Sequence, residues 1–342
     1  MEADRIMKVI VDNKIPYIGD ALSRIATEVV SLPGDAFTSE VVNDADALIV
    51  RTRTRCDRRL LEGSRVKFIA TATIGFDHID TDYCRKAGIV WTNCPGCNAG
   101  SVEQYVHSVL LLLKREKGLN LKESTLGVVG VGHVGSRVAR MAGELGMKVL
   151  LNDPPRADKG EEGFVSLSTI ARECDVITFH TPLHREGRYK TFHLADEAFL
   201  FSLERTPYLI NSSRGEVVDT APLLAALACG KVRDAVIDTW EYEPFISKEL
   251  REVAYIATPH IAGYSADGKA NATRMSLEAL CRFFHIDAEF EVLPPELPSM
   301  SYSPDEEEAF LQRYNPLLDS ERLKAAPDKF EWLRGNYPLR RE

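Results

Sequence analysis

Three residues in the second half of this chain have side chains suited to removing hydrogen from an alcohol. Arg214, in Asn211-Ser-Ser-Arg-Gly-Glu216, presents a planar fork that suits a carboxylate and its neighbouring oxygen. His260, in Thr258-Pro-His-Ile-Ala-Gly-Tyr264, can exchange a proton near neutral pH. Glu243, in Ala235-Val-Ile-Asp-Thr-Trp-Glu-Tyr-Glu-Pro244, can hold that imidazole, with Glu241 as the rival for the role. A fourth signal is the phosphate cradle Leu126-Gly-Val-Val-Gly-Val-Gly-His-Val-Gly135, with GxGxxG at Gly130, Gly132 and Gly135 and with His133 and Val134 inside it. It follows an apolar run, opens a helical pattern, and is followed by a second apolar run ending at Asp153. That context is the dinucleotide fingerprint: a tight turn, an approach to pyrophosphate, and an acid for the adenosine ribose. Asp153 would repel a 2′-phosphate, so NAD is expected rather than NADP, although Arg156 lies three residues on. Hydride transfer needs a base, a clamp for the acid group and a nicotinamide, and these residues could meet all three needs.

The elements that must position these residues alternate. Strands are expected at 7–12, 47–51, 67–73, 125–130, 148–153, 176–180, 208–212, 235–239 and 255–258, and helices at 101–117, 133–145, 168–173, 221–228 and 267–284. Continuously apolar strands between helical stretches predict parallel sheets covered on both faces. Each catalytic candidate then falls at the carboxyl end of a strand, where open α/β sheets bind ligands. Turn-forming residues at 93–101 and the prolines at 294–298 suggest boundaries. The expected division is a substrate domain at 1–97 with a return segment at 265–290, an NAD domain at 98–264, and a tail at 291–342.

Composition narrows the classes. The 342 residues carry 42 Lys and Arg against 51 Asp and Glu, a formal charge of −9 that disfavours a nucleic-acid coat. The longest apolar run, 109–113, is far below the ~20 residues of a membrane-spanning helix. No signal peptide is legible, and seven cysteines in apolar or helical settings predict reduced thiols in the cytoplasm. Cys94-Pro-Gly-Cys97 has CxxC spacing, but no second pair completes a metal site, so no metal is expected. His78, His107, His180, His184 and His193 read as structural or exposed, with His180 and Thr181 near the nucleotide. Arg51, Arg53, Arg55, Arg58 and Arg59 form a basic run in which at least one side chain is expected to read a phosphate.

The set GVGHVG, Asp153, NSSRGE, DTWEYEP and TPHIAGY resembles the D-isomer-specific 2-hydroxyacid dehydrogenases over about residues 7–290. More narrowly, DPPRADKG, TFHTPL, YKTFHLAD, TPHIAGYSADGKA and the tail segments RYNPLLDSERL and LRGNYPLRRE resemble a branch that oxidises a phosphorylated four-carbon 2-hydroxy acid in vitamin B6 biosynthesis. The resemblance implies an α/β fold of two doubly wound, Rossmann-like parallel-sheet domains with a cleft between them, plus a small C-terminal dimerisation domain and hence a homodimer. It implies Arg214, Glu243 and His260 as catalytic. It implies NAD contacts at Asp153, Thr181, Ser212, Ser213, Arg214, Asp238 and Gly263, and substrate contacts at Thr52, Thr73 and Tyr264. With Arg214 on the carboxylate, Thr52, Thr73 and Arg51 are expected at the phosphate end. Thr52 departs from the Ser often found there, and the tail stops at Glu342, so its final strand is expected to be missing or reshaped. Phosphoglycerate or hydroxypyruvate oxidation and an NAD-sensing corepressor are the alternatives.

Overall fold

The computed structural model describes residues 7–298 and 301–342. They fall into two compact units. One holds residues up to Asn98, then Ser265–Leu297 and Arg341; the other holds Ala99–Tyr264, Pro298–Arg340 and Glu342.

In the first unit, β1 (Lys8–Asp12), β2 (Glu28–Leu32), β3 (Ala47–Val50), β4 (Phe68–Thr71) and β5 (Val90–Thr92) form one sheet in the order β2-β1-β3-β4-β5. All its pairings are parallel. The chain order reverses between β1 and β3, so the loops after Asp12 and Val50 flank the switch point. Arg51 and Thr52 lie on the second of these loops. The helix Ala266–Phe284 covers one face, where Phe283 stacks on Phe68 at 5.0 Å. Strands β2 and β5 were not anticipated. Both are edge strands, β2 largely exposed and β5 only three residues long, so neither has the buried apolar run that reveals a central strand.

The second unit contains β6 (Thr125–Val129), β7 (Lys148–Asn152), β8 (Val176–Phe179), β9 (Tyr208–Asn211), β10 (Asp234–Ile237) and β11 (Ile256–Ala257). These run in parallel in the order β11-β10-β9-β8-β6-β7, with the switch point between β6 and β8. Strands β6, β8 and β9 are buried throughout, because helices cover both faces. The helix Ala99–Lys117 buries Leu110 to Leu113 consecutively, since one side meets the sheet and the tail takes the other.

The tail does not form a third body. Helices Glu306–Arg313, Pro316–Ala325 and Phe330–Gly335 pack on the second unit, with Leu323 and Phe330 fully buried in its core. At the sheet edge the Ala257 amide donates to Ser320 Oγ at 2.9 Å, so a helix residue takes the place of the next strand. Ser108 Oγ likewise donates to the Tyr314 carbonyl at 2.9 Å. Among the described residues no strand follows β11.

Candidate active site

The loop after β6 turns at Gly130, whose φ of +88° favours glycine. Its backbone also lies so close to β8 that a Cβ would stand 2.8 Å from the His180 carbonyl and the Thr181 amide. The chain then enters the helix His133–Glu144 with Gly132 as N-cap. No side chain caps that end and no acid occupies the first turn, an arrangement suited to receiving an anion. Gly132 and His133 are exposed, Val134 is half-buried against the core, and Gly135 is buried. Asp153 follows β7; its carboxylate accepts the Val131 amide at 2.8 Å and the Arg156 amide at 3.2 Å, which fixes it beside the glycine loop. Arg156 is held by Glu161, over the Phe164 ring, and donates to the Val131 carbonyl at 2.7 Å. This engagement takes it away from the 2′-phosphate role its position suggested.

A bound dinucleotide would bring polar partners to this end of the sheet, and the residues fit it. The buried hydroxyls of Thr181 and Ser212 have no hydrogen-bond partner among the described residues. Buried hydroxyls are ordinarily satisfied, so both are poised for a ligand. His180, beside them, is pushed by desolvation down to about 3 and stays neutral. Two other expected contacts turn inward. Ser213 spends its hydroxyl on Asn211 Oδ1 at 2.9 Å. Asp238 is buried and accepts from Thr258 Oγ1 at 2.7 Å, the Ile261 amide at 2.8 Å and the Ala262 amide at 3.0 Å. Burial dominates its ionisation and raises its pKa. Its role in this structure is to anchor the His260 loop.

His260 Nδ1 lies 2.8 Å from Glu243 Oε2, and Glu243 Oε1 accepts the Trp240 amide at 2.9 Å. Burial disfavours the charged Glu243. The His260 hydrogen bond, its charge and the Trp240 amide outweigh that cost and hold the carboxyl below its ordinary value. An Nδ1 proton shared with a carboxylate leaves Nε2 as the atom that exchanges protons. Glu241 points elsewhere: its oxygens meet His193 Nε2 at 2.7 Å and the Thr220 amide at 2.9 Å. His193 also lies 3.1 Å from Asp219, a cluster the sequence reading passed over.

Arg214 is half-buried on the loop after β9, with Nη1 on the Ser213 carbonyl at 2.8 Å and no carboxylate partner among the described residues. Gly215 follows it. A Cβ there would overlap the Trp240 carbonyl, so only glycine lets the arginine loop press against the loop carrying Glu243. Trp240 Nε1 in turn donates to the Thr258 carbonyl at 2.9 Å, tying that loop to the strand end before His260. Gly263 and Tyr264 complete the His260 loop, and the Tyr264 ring lies edge-on to Tyr337 at 6.1 Å.

In the first unit Thr52 is exposed, and half-buried Arg51 donates to the Lys14 carbonyl at 3.2 Å. Thr73 is less available than its position suggested: its hydroxyl donates to the Gly75 carbonyl at 2.8 Å and meets Thr71 Oγ1 at 2.7 Å. Lys269 was missed. Desolvation and the charge of Arg51 both lower its pKa, which puts a second cation in the neighbourhood of Arg51. The only sequence signal was its place within TPHIAGYSADGKA. Cys94 and Cys97 are buried, and Cys94 Sγ contacts the Ala272 carbonyl at 3.2 Å, a packing role.

A nucleotide cradle, a carboxylate fork and a histidine–carboxylate pair on one parallel sheet define the class of D-2-hydroxyacid dehydrogenases. The family model for the D-isomer specific 2-hydroxyacid dehydrogenase NAD binding domain matches residues 102–262. Two solved structures share the fold. The D-lactate dehydrogenase of Aquifex aeolicus, complexed with NAD and lactic acid, has TM-score 0.66 and 27% identity, covering 81% of this chain and 95% of that one. The NAD+-bound 3-phosphoglycerate dehydrogenase of Entamoeba histolytica has TM-score 0.67 and 27% identity, covering 82% and 96%. Nearer in sequence is the erythronate-4-phosphate dehydrogenase of Bacteroides thetaiotaomicron, 60% identical over 338 residues, 98% of this chain and 97% of that protein. Its Porphyromonas gingivalis counterpart is 44% identical over 348 residues, 98% and 94% of the two chains. The chain belongs to the erythronate-4-phosphate dehydrogenase family. Among the described residues no helix is long and apolar enough to cross a membrane.

Proposed function

We propose that this protein oxidises 4-phospho-D-erythronate to (R)-3-hydroxy-2-oxo-4-phosphooxybutanoate with NAD, in the biosynthesis of vitamin B6. The observation that carries the reading is the His260–Glu243 hydrogen bond at 2.8 Å, on a chain 60% identical to a relative of that name. Arg214 holds the substrate carboxylate. His260 Nε2 takes the C2 hydroxyl proton while the C2 hydrogen leaves with its electron pair, and Glu243 stabilises the imidazolium that results. NAD, when bound, accepts that hydride; the amides at Gly132 to Gly135, Asp153, and the hydroxyls of Thr181 and Ser212 hold it. Arg51, Thr52 and Tyr264 recognise the phosphorylated end, while Thr73 orders its loop through the Gly75 carbonyl. In this reading the protein acts in the cytoplasm as a homodimer. Six buried thiols suit a reducing compartment, and exposed Leu318 and Trp332 on the tail offer apolar surface to a second copy.

The test is a panel of 2-hydroxy acids, phosphorylated and not, followed by nicotinamide absorbance with and without an added 2-oxo acid. The expected result is a kcat/KM for 4-phosphoerythronate at least ~10-fold above that for erythronate, as a charge-assisted phosphate contact requires. Equal use of the two, or a preference for phosphoglycerate, overturns the assignment.

A further inference from the structure

His260 sits in a conformation that a side chain resists: its φ is +55°. Such a residue persists only where its surroundings over-determine it. One set of restraints comes from Asp238, just past the end of β10. The Asp238 carbonyl accepts the His260 amide at 2.8 Å, and the Asp238 carboxylate takes the amides of Ile261 and Ala262. The other set comes from the far end of the chain. Arg340 is buried and donates to the carbonyls of these same two residues, Ile261 through Nη1 and Ala262 through Nη2, at 3.3 Å each. Its Nε donates to Gln104 Oε1 at 2.7 Å, Nη2 also meets the Ser101 carbonyl, and the guanidinium lies 3.7 Å from the centre of the Tyr314 ring.

Burying a guanidinium is costly unless its donors are satisfied. No carboxylate forms an ion pair with Arg340 among the described residues; its acceptors are carbonyl oxygens and an aromatic face. An apolar side chain would fill this space at lower cost, so packing alone does not account for an arginine. A two-pronged donor does, because the two nitrogens of one fork reach two successive carbonyls. The Ile261–Ala262 segment is therefore gripped by its N–H groups on one side and its carbonyls on the other, directly after His260.

We propose that Arg340 is a positioning residue: it locks the loop in which His260 meets Glu243, so that the tail of this chain completes the proton-transfer site. The proposal rests on the reading of His260 as the proton-exchanging group. The charged groups that bear on the pair are Asp238, through its charge on His260, and Arg334, through its charge on Glu243.

The experiment uses the full-length protein with Arg340→Met and Arg340→Lys. The His260 titration is followed by 15N-histidine NMR and assigned by its loss in His260→Gln, alongside kcat and NAD-binding stoichiometry. A loosened loop weakens the Glu243 contact. Arg340→Met should therefore displace the His260 15N titration from the wild-type curve and lower kcat by ~10-fold, with NAD stoichiometry retained. Arg340→Lys keeps the charge but loses the fork, and should move both quantities the same way by at least ~2-fold in kcat. Wild-type titration and kcat in either folded variant overturns the proposal. So does a kcat loss that only tracks lost NAD sites. If Arg340→Met fails to fold, Arg340→Lys decides. A wild type that oxidises no 2-hydroxy acid refutes the functional reading instead, and the titration still judges the clamp.

Discussion

The choice between Glu241 and Glu243 shows how much one side-chain direction settles. The two glutamates are two residues apart, yet one meets His193 and the other His260. The pair at 2.8 Å predicts that His260→Gln lowers kcat by ~10²–10⁴-fold while NAD still binds. Only a twofold loss would remove His260 from proton transfer. Glu243 also links stability to pH. Its folded-state pKa lies below the ordinary value of 4.5, so the stability it supplies is present above that value. That contribution is lost as pH falls through the depressed folded value. The Tm advantage of wild type over Glu243→Gln should accordingly shrink between pH 5 and pH 3. A constant or growing difference would mean that Glu243 is not charged by its partners in the folded protein.

Loops at strand ends carry the chemistry, and their closeness is set by backbone contacts more than by the reactive side chains. Gly215 is the clearest case, because any Cβ there collides with the Trp240 carbonyl. Gly215→Ala should force the Arg214 loop away from the Glu243 loop. The expected cost is about 1–3 kcal/mol of stability, as for other overpacked sites, with a fall in kcat/KM larger than the change in NAD affinity. Chemical denaturation and steady-state kinetics measure the two effects. An unperturbed variant would mean that the loops have room to separate without consequence.

The resemblance implies a tail that serves dimerisation, and within this chain the tail also packs on the second unit. Residues 298–340 supply the Ser320 hydroxyl to the β11 edge, bury Leu323 and Phe330, and deliver Arg340 to the His260 loop. A fully buried large apolar side chain is worth ~1.5–3 kcal/mol, and marginal stability leaves little in reserve. Removal of 298–342 should then yield a protein that aggregates or loses NAD binding, not an intact NAD-binding monomer. Sedimentation and NAD titration of the truncated chain test this. A folded monomer with wild-type NAD affinity would show the tail to be only an assembly device.

Local sequence sufficed where the physics is local. Nine strands were legible: seven are central and apolar throughout because both faces are buried, and the edge strands β7 and β11 kept apolar runs of their own. The nucleotide cradle was legible because its glycines, helix start and Asp153 are consecutive features of one βαβ unit. Arg214, Glu243 and His260 could be named because strand ends are where such sheets place ligands. Edge strands β2 and β5 escaped, since half-exposed or very short segments lack that signature. Only tertiary structure could turn Ser213 and Asp238 inward, commit Thr73 to Gly75, and set Lys269 near Arg51. Only tertiary structure, too, could bring Arg340 to the peptides beside His260, 78 residues away in the chain for Ala262. Which partner a polar group takes is decided by what the folded chain brings within about 3 Å of it, and residue spacing along the chain carries no record of that distance.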